Sequence, residues 1–394
     1  MKYKTYTMED ALEEIIDYRG KTPKKSDSGI PTLSAKSVKN NNIDYSLCYY
    51  ISLDEYKRFM VRGFPKVGDV LLTTEAPMGM VARLDRDDVG IAQRLLTLRG
   101  KSGVLDNEYL LYFLQSSIGQ SLLKARETGT TVTGIKQAEF RKIQIDIPEI
   151  SVQKKIGGIL RNLDQKIEIN NKINENLETQ AQAIFTNMFA KNNSVISATI
   201  ADIALNITDG VHNTVHDDPQ GNYFLLSCKN IKGSSLNIAN SDRRISLETF
   251  EKLRRRTKLS KGDVLISSVG TIGELLLLNE EPHNYEFQRS VAMIKPNLNI
   301  VSPAYLYESL LNKKTELINA AHGAVQQCLF ISDISNFPIG IPQSDDLRKF
   351  DAIVTPIFDI ITANETENRR LSDIRDTLLP KFMSGEIDVS TFDL

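Results

Sequence analysis

Between residues 151 and 190 the chain holds no proline, and apolar positions recur in steps of three and four. Ile156, Leu160, Leu163, Ile167, Leu177, Ala181, Ile184 and Met188 form one stripe along an α-helix. Written as heptads, position a falls at 160, 167, 174, 181 and 188, and position d at 156, 163, 170, 177 and 184. A second pattern has a at Val354, Ile361, Asn368, Arg375 and Phe382, and d at Phe350, Ile357, Asn364, Leu371 and Leu378. Both seams carry asparagine at equivalent places, 170/364 and 174/368. A seam asparagine lowers stability but fixes register and partner. The two helices are therefore expected to pair, with each other or with helices of a partner. The expected seam is Leu163, Ile167, Asn170, Asn174 and Leu177 with Ile357, Ile361, Asn364, Asn368 and Leu371. Pro356 and Pro380 predict a kinked or shortened second helix, and Gly157-Gly158 weaken the start of the first. A helix of roughly 30–40 residues is about 45–60 Å long. One turn of B-DNA is about 34–36 Å.

Outside these stretches the patterns are short. Runs such as Val67-Gly-Asp-Val-Leu-Leu-Thr73 read as strands, and Tyr109–Gln115 and Tyr305–Leu311 as short helices. These blocks occur twice. Leu33-Ser-Ala-Lys-Ser-Val-Lys39 returns as Leu226-Ser-Cys-Lys-Asn-Ile-Lys232. Ile51-Ser-Leu-Asp-Glu-Tyr56 returns as Ile245-Ser-Leu-Glu-Thr-Phe250, and Gly68-Asp-Val-Leu-Leu-Thr-Thr74 as Gly262-Asp-Val-Leu-Ile-Ser-Ser268. The offset stays between 193 and 195, so two units of about 194 residues fill nearly all of the 394. The chain is one module in tandem, not a solenoid of short repeats. The expected class is α+β, with globules at 1–149 and 195–343 and helical segments at 150–194 and 344–394. Two similar surfaces suit a ligand with two similar halves.

Composition narrows the field. The net charge of -2 excludes a uniformly basic DNA coat but leaves room for local basic patches. No apolar run approaches the ~20 residues of a membrane span, and the first ten residues lack a secretory core. Cys48, Cys228 and Cys328 are odd in number and far apart, so no disulfide framework or zinc cluster is expected. A reducing cytoplasm is the expected setting.

Signatures of catalysis are missing. The chain has no Gly-x-x-x-x-Gly-Lys-Ser/Thr loop, and no Gly-x-Gly-x-x-Gly after a strand. Asp217-Asp-Pro-Gln-Gly221 lacks the second proline and aromatic of a DNA amino-methyltransferase motif and reads as a turn. Glu55-Tyr-Lys57 matches a nuclease fragment, but its repeat counterpart is Thr249-Phe-Glu251, so a solvated helix face is expected. His212 and His216 sit among loop residues without further ligands. No metal and no cofactor is expected.

Candidates for nucleic-acid contact come in equivalent sets. Basic groups suited to phosphates are Arg19 and Lys21 with Lys24 and Lys25, Lys36 and Lys39 with Lys229 and Lys232, and Arg254, Arg255 and Arg256 with Lys258 and Lys261. Base-edge readers would be amides, arginines and hydroxyls of loops. Thr73 and Thr74 match Ser267 and Ser268, and Gln93 and Arg94 match Gln288 and Arg289. The loop with Thr130, Thr131 and Thr133, followed by Lys136, matches the loop with Gln326 and Gln327. His212 and Asn213 lie in a further polar loop. A shared scaffold with different loops should read different sequences.

Taken in order, these blocks resemble the specificity subunits of type I restriction-modification systems. The resemblance rests on the tandem halves, the Gly-Asp-Val-Leu-Leu/Ile strand at 68–72 and 262–266, and the Ile-Pro at 147–148 and 341–342. It rests also on the long helix that follows each Ile-Pro, and on Thr377-Leu-Leu-Pro-Lys-Phe-Met-Ser-Gly-Glu386. Val152-Gln153 and Leu347-Arg348 depart from the Glu-Gln often found early in each family helix. The resemblance implies two target recognition domains, each binding one half of a bipartite, asymmetric site in double-stranded DNA. It implies an antiparallel coiled-coil spacer between the half-sites and no catalysis by this chain. The implied partners are two modification subunits that methylate adenine with S-adenosylmethionine and, where present, restriction subunits. The other reading kept open is a two-module protein-interaction scaffold without DNA specificity.

Overall fold

The computed structural model of the chain describes residues 2–129, 133–190, 196–323 and 327–390. It divides into two compact units, residues 1–168 with 368–394, and residues 169–367.

In the first unit, four antiparallel strands lie in the order Leu12–Asp17, Leu95–Gly100, Val70–Thr73, Val81–Arg83. In the second, the order is Ala204–Asp209, Val291–Pro296, Val264–Ser267, Leu275–Leu277. The order is the same at the repeat offset. The Gly-Asp-Val-Leu blocks are the central strands, and all four residues of Val70–Thr73 and of Val264–Ser267 are buried. The aspartate before each strand closes the turn that feeds it. Asp69 accepts from Lys66 N–H and pairs with Arg99 at 2.7 Å; Asp263 accepts from Ser260 N–H and pairs with Lys295 at 2.7 Å. Gly68 and Gly262 sit at φ +91° and +90°, which glycine adopts without a Cβ penalty.

Each unit carries a second, three-stranded sheet: Tyr49–Ile51, Ile30–Leu33, Gly90–Ile91 in one, Arg244–Ile245, Tyr223–Leu226, Tyr285–Phe287 in the other. A two-stranded ladder closes each globule, Tyr3–Thr7 with Gln144–Pro148 and Ile196–Thr199 with Pro338–Ile341. The expected short helices span Asn107–Gln115 and Pro303–Asn312. Asp106 and Ser302 cap them by accepting from the first-turn N–H groups.

The long helices are Ile150–Phe185 and Ser344–Ser384. They pair antiparallel within each unit. In the first unit Lys155 donates to Ser390 O at 3.2 Å, and Asp164 meets Arg375 at 2.7 Å. In the second, Asn170 donates to Glu367 at 2.8 Å, and Asn364 to Asn174 at 2.7 Å. Residue numbers rise on one helix as they fall on the other. Asn170, Asn174, Ile357 and Ile361 of the expected seam are buried; Leu163, Ile167, Leu177, Asn364, Asn368 and Leu371 are half-buried. Ile156, Leu160, Phe382 and Met383 join the core of the first unit. Phe185, Phe189, Tyr305 and Phe350 interlock in the second, with ring centroids 5.0–6.2 Å apart.

Two expectations about the helices need correction. The second helix runs unbroken through Pro356 and Pro380, both exposed. A helix held by a buried face tolerates the lost N–H bonds that would end an isolated one. Gly157 is a contact point. A Cβ there would stand 2.9 Å from Glu108 Cβ and 3.0 Å from Tyr109 N, so glycine lets the long helix lie close against the short one. Gln153, at the departure from the family pattern, is fully buried. Its amide accepts from Asp106 N–H at 2.9 Å and donates to Val104 O and Pro148 O at 2.8 Å, tying helix to globule.

Candidate nucleic-acid interface

In the first unit three separate stretches meet where the central strand ends. Thr74 N–H donates to Arg94 O, and Ile135 N–H donates to Thr74 O, each at 3.0 Å. Thr128 and Gly134 exchange backbone bonds of 2.8 and 3.0 Å, closing the loop between them. Gln93, Arg94, Thr133 and Lys136 are exposed along this edge. Thr130 and Thr131 lie outside the described residues, as does Gln326 in the second unit.

The second unit repeats the construction. Ser268 N–H donates to Ser290 O, Leu329 N–H donates to Ser268 O, and His322 and Cys328 exchange bonds of 2.8–2.9 Å. Arg289, Gln327, His212 and Asn213 are exposed, and Gln288 is half-buried. Arg289 N–H donates to Val211 O at 3.1 Å, which brings the His212 loop to the same edge.

The hydroxyls at the strand end do not lie on this edge. Thr73 and Ser267 are fully buried. Thr73 donates to Pro77 O at 2.6 Å and accepts from Met80 N–H at 2.9 Å. Ser267 donates to Thr271 O and accepts from Glu274 N–H at 2.7 Å. Thr74 and Ser268 are buried too, with Ser268 donating to Arg289 O at 3.3 Å. These four side chains support the edge from beneath, which corrects their expected place among the base readers.

Charges at the edge are held by acids that the sequence reading passed over. Glu75 bridges Arg19 at 3.0 Å and Arg94 at 3.4 Å. Asp209 pairs with Arg256 at 3.1 Å and with His212. Arg62, the counterpart of Arg256, donates to Asp17 O at 2.8 Å and Arg19 O at 3.4 Å. The pattern had one available signal for this pair, arginine at the same place in both repeats. Lys21, Lys36, Lys39 and Lys232 are exposed and make no ion pair among the described residues, while Lys229 is exposed and meets Asp242 at 2.9 Å.

The Arg254–Arg256 run separates into three roles. Arg254 turns inward to the buried carboxylate of Glu286 and donates to Pro282 O at 2.6 Å and Tyr285 O at 2.9 Å. Thr257 also donates to Glu286, at 3.0 Å. Burial raises the Glu286 pKa, and the Arg254 hydrogen bond opposes that rise. Arg254 is thus committed to the core, which corrects its expected place among the phosphate ligands. Arg256 holds the Asp209 strand end, and Arg255 points outward.

Glu55 is not on a solvated face. It is buried, accepts from Lys24 N–H at 2.9 Å and pairs with Arg58 at 2.7 Å. The Lys24 N–H and then Arg58 hold its carboxyl below the usual carboxylate range. Among the described residues, no group of three or more His, Cys, Asp or Glu is placed to hold a metal ion. No helix among them is long and apolar enough to cross a membrane.

Each unit thus presents an equivalent edge rimmed by exposed amide and cationic side chains. A family model described as the type I restriction modification DNA specificity domain matches residues 7–179 and 212–374. The type I restriction enzyme MjaIX specificity subunit of Methanocaldococcus jannaschii is 30% identical over 91% of this chain and 87% of its own length. The HindI specificity subunit of Haemophilus influenzae is 22% identical over 82% of this chain and 87% of its own length. The crystal structure of a type I restriction-modification S subunit from M. genitalium matches with a TM-score of 0.55 at 17% identity, covering 97% of this chain and 96% of that one. The chain belongs to the family of type I restriction-modification DNA specificity subunits.

Proposed function

We propose that the chain reads a bipartite, asymmetric DNA sequence for a type I restriction-modification complex, one half-site at each edge. The observation that carries this reading is the duplicated edge with unlike side chains on a like frame. Where the first unit offers Arg19, Thr133 and Lys136, the second offers His212, Asn213 and Gln327. Exposed arginine and amide groups match the acceptors and donors of base edges in the major groove. Exposed lysines Lys21, Lys36, Lys39 and Lys232 suit the flanking phosphates. The chain itself contributes recognition and assembly. The chemical step belongs to modification subunits that dock on the paired long helices, and to restriction subunits where the complex includes them.

The test is co-expression with the modification subunit, followed by mapping of methylated adenines in host DNA. Two short, different half-sites at a fixed gap are expected. A single continuous motif, or methylation independent of this chain, would favour the scaffold reading instead. A four-residue insertion near Asn176 adds about 6 Å of helix. It should widen the gap by one or two base pairs.

A further inference from the structure

The two units differ in charge on one short, gapless stretch. Residues 51–69 align with 245–263 at an offset of 194. The first part of each is a helix, Leu53–Phe59 or Leu247–Thr257, capped by Ser52 or Ser246. Just beyond, the first unit exposes Val61, Phe64 and Val67, which are 52–65% accessible. At the same three positions the second unit exposes Arg255, Lys258 and Lys261. None of these three cations makes an ion pair among the described residues. Arg255 Nε donates to the backbone carbonyl of Glu251 at 3.3 Å, and the Glu281 carboxylate accepts from the backbone N–H of Lys261 at 3.3 Å.

The stretch is anchored beside the reading edge. Arg256, between the outward cations, donates to Gly210 O at 3.1 Å, and the adjoining Val211 O accepts from Arg289 N–H at 3.1 Å. Lys258 adopts φ +50° as the C-cap that ends the helix. Unpaired, solvated cations next to such an edge fit a polyanion, because each phosphate they neutralise releases a counterion. Valine and phenylalanine offer a phosphate nothing at these three positions, although the first unit exposes Lys57 and Lys66 where the second has Glu251 and Ser260.

We propose that Arg255, Lys258 and Lys261 bind backbone phosphates of duplex DNA beside the second reading edge, and that Val61, Phe64 and Val67 at the equivalent positions of the first unit do not. This rests on the DNA-reading function proposed above. Its consequence is that these three positions add salt-dependent affinity at the second edge that their counterparts do not add at the first.

The test uses the full chain in its complex with modification subunits and a fluorescent 40-base-pair duplex of random sequence. Binding is followed by anisotropy from about 50 to 300 mM KCl. With a slope of about −0.9 per phosphate contact, the variant Arg255→Gln/Lys258→Gln/Lys261→Gln should lose about 2 to 3 from the magnitude of the salt slope. The converse variant Val61→Arg/Phe64→Lys/Val67→Lys should gain a similar amount. All six positions are exposed, and circular dichroism of each variant should overlay the parent. A parent that binds with a slope unaltered in the glutamine variant overturns this inference and leaves the DNA-reading function standing. A parent complex that binds no duplex overturns both.

Discussion

In the second unit the buried ion pair of Arg254 and Glu286 stands where the first unit places Met60 and Gly90, both buried. At the helix seam the exchange runs the other way. The first unit sets Asp164 between Arg375 at 2.7 Å and the Tyr112 hydroxyl at 2.6 Å. The second unit, at the positions equivalent to Asp164 and Arg375, packs Phe358 and Ala181 into its core. One frame therefore accepts either solution at either place, provided both partners change together. A buried pair gives little net stability over an apolar pair, but breaking one leaves an uncompensated charge.

The largest expected effect comes from breaking the pair in the second globule. Arg254→Met should cost about 3–5 kcal/mol, read from urea unfolding of the full chain. Arg254→Met/Glu286→Gly, which copies the first unit, should recover part of it. A double variant no better than the single would show that the two cores are not interchangeable.

Next is the seam. Asp164→Ala leaves Arg375 to the exposed Asp376 at 2.8 Å and removes the partner of Tyr112, with an expected loss of about 1–3 kcal/mol. The Tyr112 hydroxyl pKa is raised by burial and then by Asp164, so the tyrosine keeps its proton and donates throughout the working pH range.

A comparable effect depends on pH. Glu308 takes the place of Tyr112 in the second unit, is buried, and leaves Oε2 without a hydrogen-bond partner among the described residues. Burial, with Glu178 adding, raises its pKa to about 8. An unfolded glutamate titrates near 4.3, so between about pH 4.5 and 8 the unfolded chain has released a proton that the folded unit retains. Stability from this group is full below that window and falls as pH rises through it. Glu308→Gln should therefore be more stable than the parent by about 1–3 kcal/mol at pH 8, with no gain at pH 4. A gain that is constant with pH would point to packing instead.

The smallest change concerns the seam asparagines. Asn364→Leu should cost about 1 kcal/mol by leaving the Asn174 amide without its 2.7 Å partner, and Asn174→Leu/Asn364→Leu should restore or exceed the parent in thermal melts.

Much of the architecture was legible because it rests on periodicity. The stripe from Ile156 to Met188 and the constant offset gave helix, seam and duplicated sheet without knowledge of any contact. What was not legible depends on partners distant in sequence. Arg254 reads as a phosphate ligand until Glu286, 32 residues away, is seen to bury it. Thr73 and Ser267 read as base contacts because a short strand does not reveal which end of it is covered. The prolines at 356 and 380 read as breaks because local preference was weighed without the packing that overrides it. Arg375 occupied a seam position with no evident reason until Asp164 supplied one.

The division into units also has a consequence for synthesis. Residues 169–367 form the second unit from one uninterrupted length of chain. The first unit needs residues 368–394 as well, and Phe382, Met383 and Val389 are buried in its core. Chains emerge from the ribosome at about 5–20 residues per second. The core of the amino-terminal unit is therefore completed only by residues made after the whole of the second unit. The part made earliest keeps the surface for Phe382, Met383 and Val389 uncovered until the end of synthesis, and a chaperone that shields apolar surface would act most on it.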